Sequence, residues 1–269
     1  MRKRTIPGGA PDAAPATDRQ FVEALAKGLE VLRAFRQGDV ELSNQEFVAR
    51  TGLPKATISR LTYTLSKLGY LAYNYRTGSY RLDAPAMSLG YNYLAGLGVR
   101  RLAKPLMQAL ADHAGAPVAL GARDRMSMVY LECCRSSSAI TLAIEVGAHI
   151  KVASSSLGRA YIAGLTAPER SSLMDELAEH ENENWPQVKD GIDEALEIYE
   201  KYGYCLSLGN WKSDVNSVGV PYRPSDGSPV LAFNCGGPSF MLDRQRLVED
   251  IAPRLIAMVR SLETNAPTA

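Results

Sequence analysis

The densest recognition chemistry in the chain lies between Pro54 and Leu68. There Lys55, Thr57, Ser59, Arg60, Tyr63 and Lys67 alternate with the apolar residues Ile58, Leu61, Leu65 and Leu68. Ammonium and guanidinium groups donate to phosphate oxygens, a guanidinium can pair bidentately with guanine, and hydroxyls reach base edges. The candidate contacts are Lys55, Ala56, Thr57, Ser59, Arg60 and Tyr63, joined by Arg76 some residues later. Ordinary exposed helix positions would explain Thr57 and Ser59 equally well, and Tyr63 could pack locally. The constellation as a whole, rather than any one side chain, points to a polyanion.

Such side chains need elements to hold them. The apolar residues of 54–68 recur at helical spacing and fall on one stripe, which leaves the polar set on the remaining surface. Pro54 suits the start of that helix. Upstream, Ser43 and Glu46 form an S-x-x-E capping box with Leu42 and Phe47 as a hydrophobic staple, so a helix starts near Ser43. It ends near Thr51, where Gly52 can adopt a left-handed conformation. Before it, Phe21, Leu25, Leu29, Leu32 and Phe35 predict a helix whose single apolar face packs on a core. Helix, short turn, helix is the geometry that lays a second helix into a major groove. Tyr70–Tyr73 and Tyr80–Leu82, around a loop with Gly78, predict a β-hairpin or wing with Arg76 at its tip.

Charge is distributed accordingly. Residues 1–82 hold 13 Lys+Arg against 7 Asp+Glu, net +6, whereas the remainder holds 17 against 22, net −5. The front of the chain is the part suited to nucleic acid. With 269 residues, 46% hydrophobic, two domains are expected and no run is long enough to cross a bilayer. Residues 1–19 lack the apolar centre of an export signal and are expected to form a disordered tail in a cytoplasmic protein. The four cysteines show no Cys-x-x-Cys spacing, and His113, His149 and His180 stand apart, so neither a metal site nor a cofactor is expected. Two alternatives stay open: a redox or catalytic protein using Cys133 or Cys134, and a scaffold that binds another protein.

Beyond residue 99 the pattern predicts an α+β domain. Helices are expected at about 102–113, 156–164, 168–179, 186–201 and 243–262, and strands at 117–122, 128–133, 215–222 and 229–235.

The segments Ala-Lys-Gly-Leu-Glu-Val-Leu (26–32), Arg-Thr-Gly-Leu-Pro-Lys-Ala-Thr-Ile-Ser-Arg-Leu (50–61), Thr-Leu-Ser-Lys-Leu-Gly-Tyr-Leu (64–71) and Tyr-Arg-Leu (80–82) resemble the IclR family of bacterial regulators. The likeness spans about residues 20–264. It implies a winged helix-turn-helix DNA-binding domain at 20–83 and a linker helix that dimerises at 84–98. It further implies a GAF-like α/β effector-binding domain at 99–264, with no enzymatic activity. Homodimers or dimers of dimers on palindromic operators, answering to a small-molecule effector, are the implied assemblies; Leu82, Met87, Leu89, Leu94 and Leu97 supply apolar surface in and around the linker.

The stretch Ser154–Ala160 matches the family's Ser/Ala-x-Gly-Lys/Arg-Ala motif. It implies effector contacts from Ser155, Ser156, Leu157 and Gly158, where a helix start would attract a carboxylate; serines that merely cap the helix are the plain alternative. The resemblance also places Asn210, Val220, Pro221 and Asn234 around that cavity. The chain departs from the family at Asn210, usually acidic, at Asp214, usually glycine, and at Lys151-Val152, usually Pro-Leu/Met. Asn234 and the Ser-x-x-Gly-Arg helix start are similar to the branch controlling aromatic-acid catabolism.

Overall fold

A computed structural model describes residues 20–136 and 144–265; the expected tail at 1–19 lies outside them. The chain separates into two compact units between Gly96 and Leu97.

In the first unit, α1 (Glu23–Arg33), α2 (Asn44–Thr51) and α3 (Lys55–Lys67) enclose a core of Val31, Leu42, Phe47, Ile58, Leu65 and Leu71. The capping box forms: Ser43 N–H donates to Glu46 Oε2 at 2.7 Å, and Glu46 N–H to Ser43 Oγ at 3.3 Å. Gly52 closes α2 at φ 70°, a conformation a side chain would strain. Pro54 flanks α3 rather than opening it: its backbone is extended, and its carbonyl accepts from Ile58 N–H at 3.0 Å.

Two apolar expectations are corrected. On and beside α1, Val31 and Ala34 are buried, and Leu32 and Phe35 pack against the core as expected, while Phe21, Leu25 and Leu29 stay 45%, 62% and 50% exposed. Gly28 faces α3 as well: a Cβ there would meet Leu61 at an ordinary contact distance of 3.9 Å. Leu68, expected on the buried stripe, follows the last turn of α3 and is exposed, whereas Thr62 is fully buried and returns its hydroxyl to Ile58 O at 2.9 Å.

β2 (Leu71–Asn74) and β3 (Ser79–Leu82) make the hairpin, and a third strand, β1 (Leu42–Ser43), pairs with β3. The stretch before β1 is fastened to α2. Asp39 accepts from Arg36 N–H at 2.6 Å and from Arg50 Nη2 at 3.1 Å, and Arg50 Nη1 also reaches Asp39 and Ala34 O. Those bonds, the Arg50 guanidinium foremost, hold the Asp39 carboxyl at about 2, against an ordinary 3.8. A lowered folded-state value means stability that is present above 3.8 and lost as pH falls towards 2. The expected outcome is therefore that Asp39→Asn lowers the thermal midpoint near neutral pH, and that its gap to wild type narrows through that acid window. A gap independent of pH would show that the ion pair contributes nothing. α4 (Ala84–Gly96) ends the unit and buries none of its residues there.

The second unit is a six-stranded antiparallel sheet in the order β6-β5-β4-β9-β8-β7. The strands are β4 (Val118–Asp124), β5 (Ser127–Cys134), β6 (His149–Lys151), β7 (Cys205–Leu208), β8 (Val215–Tyr222) and β9 (Leu231–Pro238). α5 (Gly98–Ala114) and α10 (Ala252–Asn265) pack on it and on each other, and α6 (Ser156–Gly164) crosses β8 and β9, with α7 (Ala167–Glu181) and α8 (Trp185–Tyr202) beside it. α6 lies directly on the strands: a Cβ on Gly219 of β8 would fall 2.3 Å from Ser156 O, and one on Gly158 would fall 2.0 Å from Val152 O. The strands β6 and β7, three and four residues long, are too short to signal themselves in sequence. The final helix is interrupted: after α9 (Arg244–Arg246), Leu247–Ile251 form a π-helical turn before α10.

Candidate nucleic-acid interface and ligand cleft

α3 presents Lys55, Ala56, Ser59, Arg60 and Tyr63 on its exposed side, with Thr57 half-buried. The guanidinium of Arg60 and the ammonium of Lys55 make no hydrogen bond or ion pair among the described residues, so their donors are available to a partner. Tyr63 is 63% exposed and carries Lys67 Nζ 5.4 Å from its ring centroid, a cation–π contact that holds both groups on one edge of the helix. Asn44 ties the reading helix to α2: its Nδ2 donates to Ser59 Oγ at 3.5 Å and its Oδ1 accepts from Thr62 Oγ1 at 3.4 Å. Ser59 therefore shares its hydroxyl with this clamp.

The wing is held in shape from outside the hairpin. Glu41 accepts from Asn74 Nδ2 and Thr77 Oγ1, each at 2.7 Å, bonds that lower its carboxyl below the usual range. Arg76 lies between them, exposed, its N–H on Asn74 Oδ1 at 3.0 Å. Tyr75 beside it is 92% exposed and meets Tyr73 edge-on at 5.0 Å. Sequence reasoning passed over Tyr75 and Glu41; the aromatic run in the hairpin was the available signal for the first.

The residues expected to share an effector cavity are not all brought together. Ser155 caps α6: its Oγ accepts from Gly158 N–H at 3.1 Å and donates to Lys151 O at 2.7 Å. Leu157 and Gly158 are buried against β4 and the Val152 backbone. Ser156 Oγ and Asn234 Oδ1 are buried without a hydrogen-bond partner among the described residues. They are neighbours across the α6–sheet seam, because Gly219, over which Ser156 sits, pairs directly with Asn234. Pro221 is on the same face, beneath Gly164. Val220 pairs with Phe233 one register step away, and alternation turns its side chain to the opposite face.

Asn210 lines a different space, a cleft of ≈ 550 Å³ shared with Lys151, Arg159, Glu181, Gln187 and Trp211. Arg159 is only 5% exposed; its Nε donates to Ala153 O at 3.3 Å, and its Nη1 donates to Leu206 O at 2.8 Å and Asn210 Oδ1 at 3.1 Å. Burial lowers its pKa, yet an arginine remains charged. The sequence reading placed Arg159 in the helix-start motif but gave it no contact; a cation between Gly158 and Ala160 was the signal.

Among the described residues no group of three His, Cys, Asp or Glu could hold a metal, and no helix is long and apolar enough to cross a membrane. Burial pushes the Cys133 thiol up to about 12 and raises that of Cys134, which disfavours the thiolate at both.

Comparison with known proteins agrees with this geometry. Residues 24–74 match the IclR helix-turn-helix domain, and residues 91–264 match the family described as bacterial transcriptional regulator IclR C-terminal. The HTH-type transcriptional regulator TsaQ1/TsaQ2 of Comamonas testosteroni is 34% identical over 261 residues, covering 96% of this chain and 94% of that relative. An IclR family transcriptional regulator from Brucella abortus has a crystal structure that superposes with a TM-score of 0.88 at 49% identity, covering 96% of this chain and 97% of that one. An IclR homologue from Microbacterium hydrocarbonoxydans, solved with 4-hydroxybenzoate, shares the fold with a TM-score of 0.70 at 20% identity, covering 90% and 98%. A reading helix with unpaired cations, a fastened wing and a sheet domain matched over nearly its whole length place this chain in the IclR family, as a transcriptional regulator and not an enzyme.

Proposed function

We propose that the protein is a ligand-responsive regulator of a catabolic operon, cytoplasmic, reading a palindromic operator as a homodimer or dimer of dimers. Its effector is a small carboxylate-bearing metabolite, with an aromatic acid favoured. DNA contacts come from Lys55, Ala56, Thr57, Ser59, Arg60, Tyr63 and Arg76. Effector contacts come from the α6–sheet seam, from Ser156, Leu157 and Gly158 at the start of α6 and from Asn234 and Pro221 on the strands beneath that helix.

The observation that carries the sensing half is the pair of buried, unpartnered polar atoms, Ser156 Oγ and Asn234 Oδ1. A buried polar atom without a partner costs about 1 to 3 kcal/mol. Two side by side form a place where an incoming ligand recovers that cost on binding. Ser155 is occupied as a cap, so its part is to fix the start of α6.

Second copies of the chain are supported by apolar surface in the first unit. Phe21, Val22, Leu25 and Leu29 around α1, and Met87, Leu89, Tyr91 and Tyr93 on α4, are all exposed. Apolar surface of this extent marks an interaction face. A two-fold pair of reading heads would match a palindrome, with the effector shifting the equilibrium between two head spacings.

The test is operator affinity by fluorescence anisotropy with and without benzoate, 4-hydroxybenzoate or pyruvate. An effector changes affinity by roughly 5- to 150-fold, the usual range of coupling between sites. An acid that binds saturably yet leaves operator affinity unchanged would remove the sensing role.

A further inference from the structure

Arg159 is a buried cation whose three side-chain acceptors are all neutral: two backbone carbonyls, Ala153 O and Leu206 O, and the Asn210 amide oxygen. The Glu194 carboxylate, exposed on α8, acts on it without a hydrogen bond or ion pair, and a charge taken out of water is costly unless an opposite charge is paired with it. Its Nη2 makes no hydrogen bond among the described residues, and it reaches this position only because residue 191, on α8, is glycine: a Cβ there would lie 2.5 Å from Nη2. Arg159 thus lines the ≈ 550 Å³ cleft with Nε and Nη1 spent on the protein, and Nη2, beside Gly191, without a hydrogen-bond partner among the described residues.

The rest of the wall has matching chemistry. Lys151 and Arg159 against Glu181 leave the lining with one surplus positive charge, and Glu181 is already paired with His180 Nδ1 at 3.4 Å. α8 opens onto the cleft through Gln187 and Val188, adding the positive end of a long helix. Trp211 supplies a flat apolar wall.

We infer that this cleft is an anion site, in which a small monocarboxylate accepts hydrogen bonds from Arg159 Nη2 and Lys151 Nζ with its apolar body against Trp211. The site is separate from the α6–sheet seam, and its occupation would hold the start of α6 to the β7–β8 turn, which Arg159 already bridges through Ala153 and Asn210. Only the regulatory consequence rests on the sensor reading; the binding does not.

Trp185 and Trp211 are the protein's only tryptophans, one lining the cleft and the other next to Asn184 on its wall. Intrinsic fluorescence of the full-length protein therefore reports on it. Benzoate should give a saturable change and benzamide, the same shape without charge, none. Arg159→Gln should weaken benzoate binding about 10- to 100-fold, the worth of one charge-assisted pair. Because that variant also removes internal bonds, Asn210→Asp is the decisive companion: it supplies a carboxylate to Arg159 from within. It should weaken benzoate binding by a similar factor while the thermal midpoint stays level or rises. Equal benzoate affinity in wild type and Asn210→Asp, equal affinity for benzamide, or no saturable change with benzoate, 4-hydroxybenzoate or pyruvate would overturn the inference. Benzoate bound through Arg159 without effect on operator affinity would instead count against the sensor reading and leave the anion site standing.

Discussion

Replacing Arg60 by alanine should cost about 1 to 3 kcal/mol of operator affinity and relax base preference at one position of each half-site. Arg60 is exposed on α3 and has no partner among the described residues, so truncating it removes nothing from the fold and the thermal midpoint should not move. Arg76 offers the contrast. It stands at a wing whose loop is held by Glu41, and on the proposed reading its donors would meet backbone phosphate or the minor groove. Arg76→Ala should weaken binding to specific and unrelated DNA alike, and flatten the logarithmic salt dependence by roughly 0.9, one released counterion. Anisotropy titrations at several salt concentrations separate the two behaviours. Unchanged affinity in both variants would mean that α3 and the wing do not face DNA.

The second large effect is expected at α4. Met87 is 74% exposed within its own unit, so a charge there is harmless to a single chain. In an apolar contact between copies, the same charge would be buried without a partner, at several kcal/mol. Met87→Glu should therefore convert the proposed dimer to monomer at micromolar concentration and lower operator affinity by two orders of magnitude or more, since one head would retain only half of the contacts. Sedimentation velocity reads the assembly directly. A Met87→Glu protein that sediments as wild-type dimer would remove α4 from the interface.

Much of the reading head was legible because its signals are local. Ser43 and Glu46 satisfy each other's backbone within one turn, and Gly52 ends α2 through its own φ. The face that α1 presents was not legible. Five large apolar residues outline one stripe, but only its C-terminal members Leu32 and Phe35 pack on the core with Val31 and Ala34, leaving Phe21, Leu25 and Leu29 outside. Leu68 was misassigned because the stripe runs past the end of its helix.

In the sheet domain the long strands could be read from β-favouring residues, whereas β6 and β7 draw their pairing from neighbours distant in sequence. The candidate effector residues were grouped by motif and likeness, which carry no register. Once β8 and β9 are paired, Val220 turns away from Asn234. Arg159 remained hidden for a similar reason: its neutral surroundings come from β7, the turn after it and α8, all about 30 or more residues away.

The most direct test of the central claim, that this chain is a sequence-reading regulator, is to sequence the genomic fragments retained by the purified full-length protein at physiological salt. The account predicts a few discrete fragments upstream of catabolic genes, sharing an inverted repeat, and their loss with Arg60→Ala. Uniform recovery of the genome, or the same fragments retained by the Arg60→Ala protein, would contradict it.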